Sequence, residues 1–296
     1  MTWMLPEQLA AMNELQAACN SLGVDVVIIG AAAYRAWFDD PGRYTEDVDV
    51  AVAIDMEEFT VLTEALTALE WRQEARREHR WHTPASARID LLPAGRKLRT
   101  AGRIEWPRSG MVMNLVGFEH VFAQAVTREV SPGTALRVVP VPVLTLLKIA
   151  SFLDSPYDRQ KDAQDILSIL ARYEIEGDRR FGAEVYDAGV DYDRAGAFLL
   201  GEDLAMLCTG AEVELMMKFL SGVQDDTTAL STAFARATGR PGSEESREAH
   251  RPILATFAAA FSRLTERRRA LDRIAKEAFE SGLYDRTGIP EGGEDA

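Results

Sequence analysis

The chain has 296 residues, 47% of them hydrophobic and 27% charged, with a formal net charge of −14. That length holds two domains of ordinary size and the apolar share is that of a globular protein, while the negative balance argues against a surface that coats nucleic acid indiscriminately. No apolar run approaches the roughly 20 residues of a membrane span, and two cysteines, Cys19 and Cys208, make neither a disulfide framework nor a CxxC metal motif.

The N-terminal stretch MTWMLPEQLAAMNELQAACNSLG lacks the basic start and apolar centre of a signal peptide. It reads as a helix from Pro6 with Leu9, Met12, Leu15, Cys19 and Leu22 on one side, and the expected compartment is a reducing cytoplasm. VDVVIIG (24–30) is a strand by its β-branched run ending at glycine, and AAAYRAWF (31–38) is a short helix starting directly after Gly30. DDPGRY (39–44) carries turn chemistry. DVDVAVAI (47–54) alternates with period two, so Asp47 and Asp49 project from one face and Val48, Val50, Val52 and Ile54 from the other.

MEEFTVLTEALTALEW (56–71) has a helical period, and SARIDLLPAG (86–95) is a strand-like run with Asp90 inside it. The region 111–142 holds further strands and a short helix, closed by Pro140 and Pro142. Beyond it the pattern turns helical: VLTLLKIASFLD and KDAQDILSILARY joined by SPYDRQ, then 194–207, 211–223, 226–237 and a long helix over about 252–281. GRPGSEESREAH (239–250) reads as a polar loop and TGIPEGGEDA as a disordered tail. The expected division is 1–142, a mixed α/β domain; 143–285, all helical; and 286–296, the tail.

Charge is unevenly placed. From Arg72 to Arg108 there are ten Arg or Lys against four acids, +6, so the rest of the chain carries −20. A basic zone beside an acidic site could hold phosphates; a solvated, charged hairpin is the plainer alternative. His79 and His82, three apart in REHRWHTP without a third ligand nearby, fit a surface or phosphate-contact role better than a metal site. TERRRALDRIAKE (265–277) reads as the charged face of a helix, with a nucleic-acid backbone contact as the alternative.

Asp47, Asp49 and Asp90 are the chemical signal. Carboxylates inside apolar strands are costly unless a cation neutralises them. Three such groups on adjacent strands suit one or two Mg²⁺ ions, which take hard oxygen ligands and bring substrate phosphates with them. Two such ions can activate an attacking hydroxyl and stabilise the leaving oxygen of a phosphoryl displacement. In that scheme Asp47 and Asp49 bridge the metals and Asp90 completes the site of the attacking hydroxyl and takes its proton. The turn at Gly30–Ala31 offers backbone N–H groups and a helix N-terminus to a triphosphate. The plain reading is that Asp47 and Asp49 cap a turn or pair with Arg43 and Arg88.

The order strand–Gly–small residue, helix, Asp-x-Asp strand, third-aspartate strand resembles the polymerase-β-type nucleotidyltransferases. Within them, GAAAYRAW…GRYTEDVDVAV…RIDLLPAG…VPVLTLLKIASFLDSPYDRQKDAQDIL resembles the AbiEii/MenT branch, which contains toxins of toxin–antitoxin and abortive-infection systems. The resemblance spans about residues 22–172. It departs at the phosphate turn, commonly Gly-Gly or Gly-Ser in the family and Gly30-Ala31 here; alanine retains the N–H but loses the serine hydroxyl and the freedom of glycine. The interval from Gly30 to Asp47 is also long, with Asp39-Asp40-Pro41-Gly42 accounting for the excess.

The resemblance implies an α+β fold: a polymerase-β-like nucleotidyltransferase core, a mixed sheet flanked by helices, followed by an all-helical C-terminal domain. It implies that Asp47, Asp49 and Asp90 are catalytic and metal-binding, and that Gly30, Ala31, Lys148 and Asp162 bind the nucleotide. It implies Mg²⁺ as cofactor, an NTP as substrate, a tRNA acceptor and a cognate antitoxin as partners, and no membrane. From the residues alone, Lys148 among Leu144, Leu147, Ile149 and Phe152 could equally be a snorkelling lysine. Asp162 and Asp165 could equally serve a helix N-terminus, with Lys161 and Asp165 as an i,i+4 pair. A small-molecule nucleotidyltransferase of the aminoglycoside-resistance kind and a catalytically degenerate nucleotide-binding protein remain the alternative functions.

Overall fold

The computed structural model describes residues 3–38, 45–239 and 244–280, with backbone alone for 244–247. The expected turn at 39–44, with Arg43, and the expected tail lie outside the described residues.

The first part of the chain alternates helices and short strands. Helix α1 (Pro6–Ser21) leads to β1 (Val26–Ile28), α2 (Gly30–Trp37), β2 (Asp47–Val52) and α3 (Met56–Ala68). Then come β3 (Arg72–Gln73), β4 (Arg80–His82), β5 (Arg88–Pro93), α4 (Arg96–Ala101), β6 (Arg103–Glu105) and β7 (Val112–Asn114). Helix α5 (Phe118–Gln124), β8 (Val126–Ser131) and β9 (Thr134–Val138) complete this part. Seven strands form one sheet in the order β3-β4-β5-β2-β1-β9-β8, while β6 and β7 pair separately. The sheet is mixed: β2 runs parallel to β5 and antiparallel to β1, and β4 is antiparallel to β5. Val48, Val50 and Val52 of β2 are wholly buried, as their alternation with the aspartates requires.

Helix α3 stops at Ala68, short of the expected Trp71, because the chain turns back through Glu70 at φ +63° and the Trp71 indole is buried, donating to Glu14. Helix α6 (Val141–Asp154) starts with Pro142 in its first turn, where a missing N–H costs nothing. It is apolar nearly all round because it packs against five helices: α2, α5, α7 (Gln160–Arg172), α9 (Tyr192–Leu207) and α10 (Gly210–Gln224).

Helix α8 (Ala183–Asp187) is a short piece of the connector to α9, and α11 (Ala229–Thr238) is capped by Thr228, whose hydroxyl accepts from the Ser231 N–H at 3.0 Å. That cap places the start of α11 three residues later than expected. Helix α12 (Glu244–Glu280) begins well before the expected residue 252 and carries Pro252 in its interior. The polar stretch EESREAH is therefore helix, not loop: Glu, Arg and Ala are good helix formers, and polarity alone does not break a helix. One continuous apolar core runs from Met4 to Phe261. Among the described residues no helix is long and apolar enough to cross a membrane.

Candidate active site

Parallel pairing of β2 with β5 sets the geometry. Asp49 and Asp90 are register partners, and Asp47 stands opposite Arg88. Across the antiparallel side of β5, Arg80 is the partner of Asp90. Directly opposed residues on neighbouring strands share a face, so Asp47, Asp49, Asp90 and Arg80 converge.

Arg80 is the cation already in place. Its Nε donates to Asp90 Oδ1 at 2.8 Å, and its Nη2 to Asp90 Oδ2 and Asp47 Oδ2, both at 2.7 Å. These bonds hold the guanidinium charged, well above its ordinary range. The Thr45 hydroxyl lies 2.9 Å from Asp47 Oδ1, and Gln8 of α1 donates to the Thr45 carbonyl at 3.1 Å, so α1 braces the start of β2. Arg88 pairs with Glu46 rather than with the aspartates.

Asp49 is different. Among the described residues its carboxylate accepts no hydrogen bond, and its pKa is pushed up to about 7. Burial is the first cause, followed by the charges of Asp90 and Asp47; Lys148 pulls the other way and Asp162 adds to the rise.

Gly30 opens α2 at φ +64°, and a Cβ there would lie 2.1 Å from Asp49 Oδ2. The glycine thus meets a backbone demand and leaves room for the carboxylate. No side chain caps α2, and the first N–H to bond back, that of Ala33 onto Ile29, leaves those of Gly30, Ala31 and Ala32 at the open end beside Asp49. Tyr34 fixes the helix through its hydroxyl, 2.7 Å from Ser168 Oγ of α7.

Lys148 does not snorkel. Its side chain is 4% exposed, with Nζ 3.0 Å from Asp162 Oδ1 and 2.7 Å from Asp165 Oδ2. Burial would lower its pKa, but the two aspartates outweigh that and hold it above the ordinary value. Ser151 donates to the other oxygen of Asp162 at 3.0 Å. Asp162 and Asp165 therefore face inward to a lysine rather than serving only their own helix end.

His79 is also turned inward. Its Nε2 is 3.9 Å from Asp90 Oδ2, its ring lies 5.8 Å from Trp106, and its Nδ1 is buried without a partner among the described residues. Burial pushes the imidazole below its ordinary pKa, Arg80 and Arg77 act in the same direction, and Asp90 opposes them. A surface role for His79 does not hold; His82, paired with Glu74 at 3.7 Å, keeps its exposure.

Arg80 and Ser151 were not singled out by sequence, and Asp165 was read only as a helix-end acid paired with Lys161. The signal for Arg80 was the alternation of His79, Arg80, Trp81 and His82, which places Arg80 on the face opposite Trp81. Which aspartate it met depended on a pairing the sequence did not reveal.

Among the described residues no group of three or more His, Cys, Asp or Glu side chains gathers closely enough to hold a metal; the Arg80 guanidinium lies between Asp47 and Asp90 instead. The donor set nonetheless fits a hard divalent ion. Asp47 and Asp90 share the Arg80 guanidinium, Asp162 and Asp165 hold Lys148, and among the described residues the Asp49 carboxylate accepts no hydrogen bond, which leaves hard oxygen donors at hand.

Among solved structures, the antibiotic-resistance factor ANT(2'')-Ia is 16% identical, with 52% of this chain and 76% of that chain covered and a TM-score of 0.36. An antigenic nucleotidyltransferase-like protein from Paracoccidioides brasiliensis is 18% identical, covering 57% and 78%, with a TM-score of 0.38. JHP933 from Helicobacter pylori is 11% identical, covering 92% and 100%, with a TM-score of 0.36. No curated protein matches the chain. The family described as nucleotidyl transferase AbiEii toxin, type IV TA system, matches residues 15–267. The chain belongs to the AbiEii family of nucleotidyltransferase toxins.

Proposed function

We propose that this nucleotidyltransferase is Mg²⁺-dependent and transfers a nucleoside monophosphate from an NTP to a hydroxyl of tRNA, acting in the cytoplasm as a toxin with a cognate antitoxin. The single observation that carries the reading is the convergence of Asp47, Asp49 and Asp90 beside the uncapped N-terminus of α2.

Asp47, Asp49 and Asp90 would hold the divalent ion, which when bound neutralises charge developing on the transferred phosphoryl group and lowers the pKa of the acceptor hydroxyl. The N–H groups of Gly30, Ala31 and Ala32 orient the triphosphate. Asp90 accepts the proton of the attacking hydroxyl, and pyrophosphate leaves. Lys148, fixed by Asp162 and Asp165, sets a positive potential near Asp49 and orients Asp162 toward the nucleotide. Residues up to about 142 form the catalytic domain in this reading, and the helices beyond choose the acceptor.

A polyanionic acceptor is favoured over an aminoglycoside by the basic segment: Arg72, Arg76, Arg96 and Arg103 are all exposed. Incubation with labelled NTPs and either tRNA or an aminoglycoside tests the reading. Metal-dependent labelling of tRNA, lost in Asp49→Ala, is the expected result. Labelling of the aminoglycoside instead, or full transfer by Asp49→Ala, would overturn it.

A further inference from the structure

We infer that Arg80 is the built-in counter-ion of the site: it holds the place of a divalent cation on Asp47 and Asp90, yields that place when the cation binds, and then turns its charge to the nucleotide phosphates. The inference rests on the metal-dependent reading above and adds a residue that reading does not use.

Three observations carry it. The guanidinium bonds the same two carboxylates a hard cation would take, at 2.7–2.8 Å. No other full positive charge among the described residues is within hydrogen-bond reach of them: Lys148 bonds Asp162 and Asp165, and the His79 imidazole stands off, its Nε2 3.9 Å from Asp90 Oδ2. Finally, Nη1 of Arg80 makes no hydrogen bond among the described residues, so one side of the planar fork is free to accept an anion.

The physical consequence is competition followed by cooperation. A guanidinium and a divalent ion cannot both sit on Asp47 and Asp90, because they compete for the same carboxylate oxygens and the two cations would repel. Removing Arg80 from its carboxylates exposes a charge that needs a new partner, and the phosphates of a bound nucleotide are the anions at hand. Metal binding is therefore weakened by Arg80 in the free protein and strengthened when nucleotide is present. By linkage, metal must strengthen nucleotide binding by the same factor.

The test is calorimetric titration of Mn²⁺ into the full-length, nucleotide-free protein, as wild type, Arg80→Met and Arg80→Gln, with folding checked first by circular dichroism. The titrations are repeated with a non-hydrolysable NTP analogue present. The expected result is Mn²⁺ affinity raised about tenfold in either variant without nucleotide, a difference of about 1.4 kcal/mol. The gain in Mn²⁺ affinity produced by the analogue in wild type should shrink in both variants. The two variants remove the charge with different shapes, so one misfolded protein leaves the other to decide.

Equal Mn²⁺ affinity in wild type and variants would overturn the inference while leaving the metal-dependent reading intact. Absence of Mn²⁺ binding in all three proteins, with and without analogue, would overturn both.

Discussion

Arg80 and Asp90 are register partners on β4 and β5, joined by two parallel hydrogen bonds, Nε to Oδ1 at 2.8 Å and Nη2 to Oδ2 at 2.7 Å. The pair holds the third carboxylate in one orientation, next to Asp49 on the following strand. Asp90 also contributes to the rise in the Asp49 pKa. Asp90→Asn should therefore lower the Asp49 pKa, measurable by NMR titration of the carboxyl carbon. It should also reduce nucleotide transfer on the order of 10²–10⁴-fold. An unchanged Asp49 titration would mean that the two groups are not electrically coupled.

Stability should depend on pH through Asp49. Its folded pKa of about 7 lies above the ordinary 3.8, so between those values the folded state keeps a proton that the unfolded chain has lost. The sign follows: stability falls as pH rises through that window, and the full penalty is present above about pH 7. It amounts to at most about 4 kcal/mol, reduced by the water that reaches this partly exposed group. Asp49→Asn should be more stable than wild type in urea unfolding at pH 8 without metal, and close to it at pH 4. A difference that does not grow with pH would rule out this linkage.

Lys148 should be needed for folding as well as for function. Replacing it by Met removes the ammonium that bonds both Asp162 and Asp165, and breaking a buried pair in this way costs about 3–5 kcal/mol. The two aspartates should then separate by role. Asp165, 2% exposed, should lose mainly stability on change to Asn. Asp162, with a 15% exposed side chain, should lose mainly nucleotide affinity. Thermal unfolding and nucleotide titration of both variants check this, and identical behaviour of the two would contradict it.

Gly30→Ala should damage the site more than the fold. The left-handed backbone costs a non-glycine residue about 1–2 kcal/mol, and the new methyl group must push Asp49 aside. Transfer should fall by more than tenfold while the protein remains folded. Ala31→Gly, at the next position, should retain activity because it keeps the N–H. Steady-state kinetics and melting temperatures of both variants make the comparison.

Much of the fold was legible because its signals are local. Gly30 after a β-branched run marked the strand-to-helix turn, and the helical period of 161–173 was clear despite its many charges. Misreadings arose where one local rule competed with another. Pro252 looked like a helix start but sits inside α12, and Glu70 ended α3 before its apolar pattern did.

What the sequence determined alone is that Asp47 and Asp49 share one face of a strand, since alternation is a property of a single chain segment. For Lys148 and Asp162 the residues left a structural and a nucleotide-binding reading side by side, and only the family resemblance pointed to the second. Only the tertiary structure decided that Asp90 lies beside Asp49, that Arg80 bridges Asp47 and Asp90, and that Lys148 is buried between Asp162 and Asp165. Those neighbours are chosen by strand register and helix packing, which depend on burying surfaces far apart in the chain, and no local pattern encodes them.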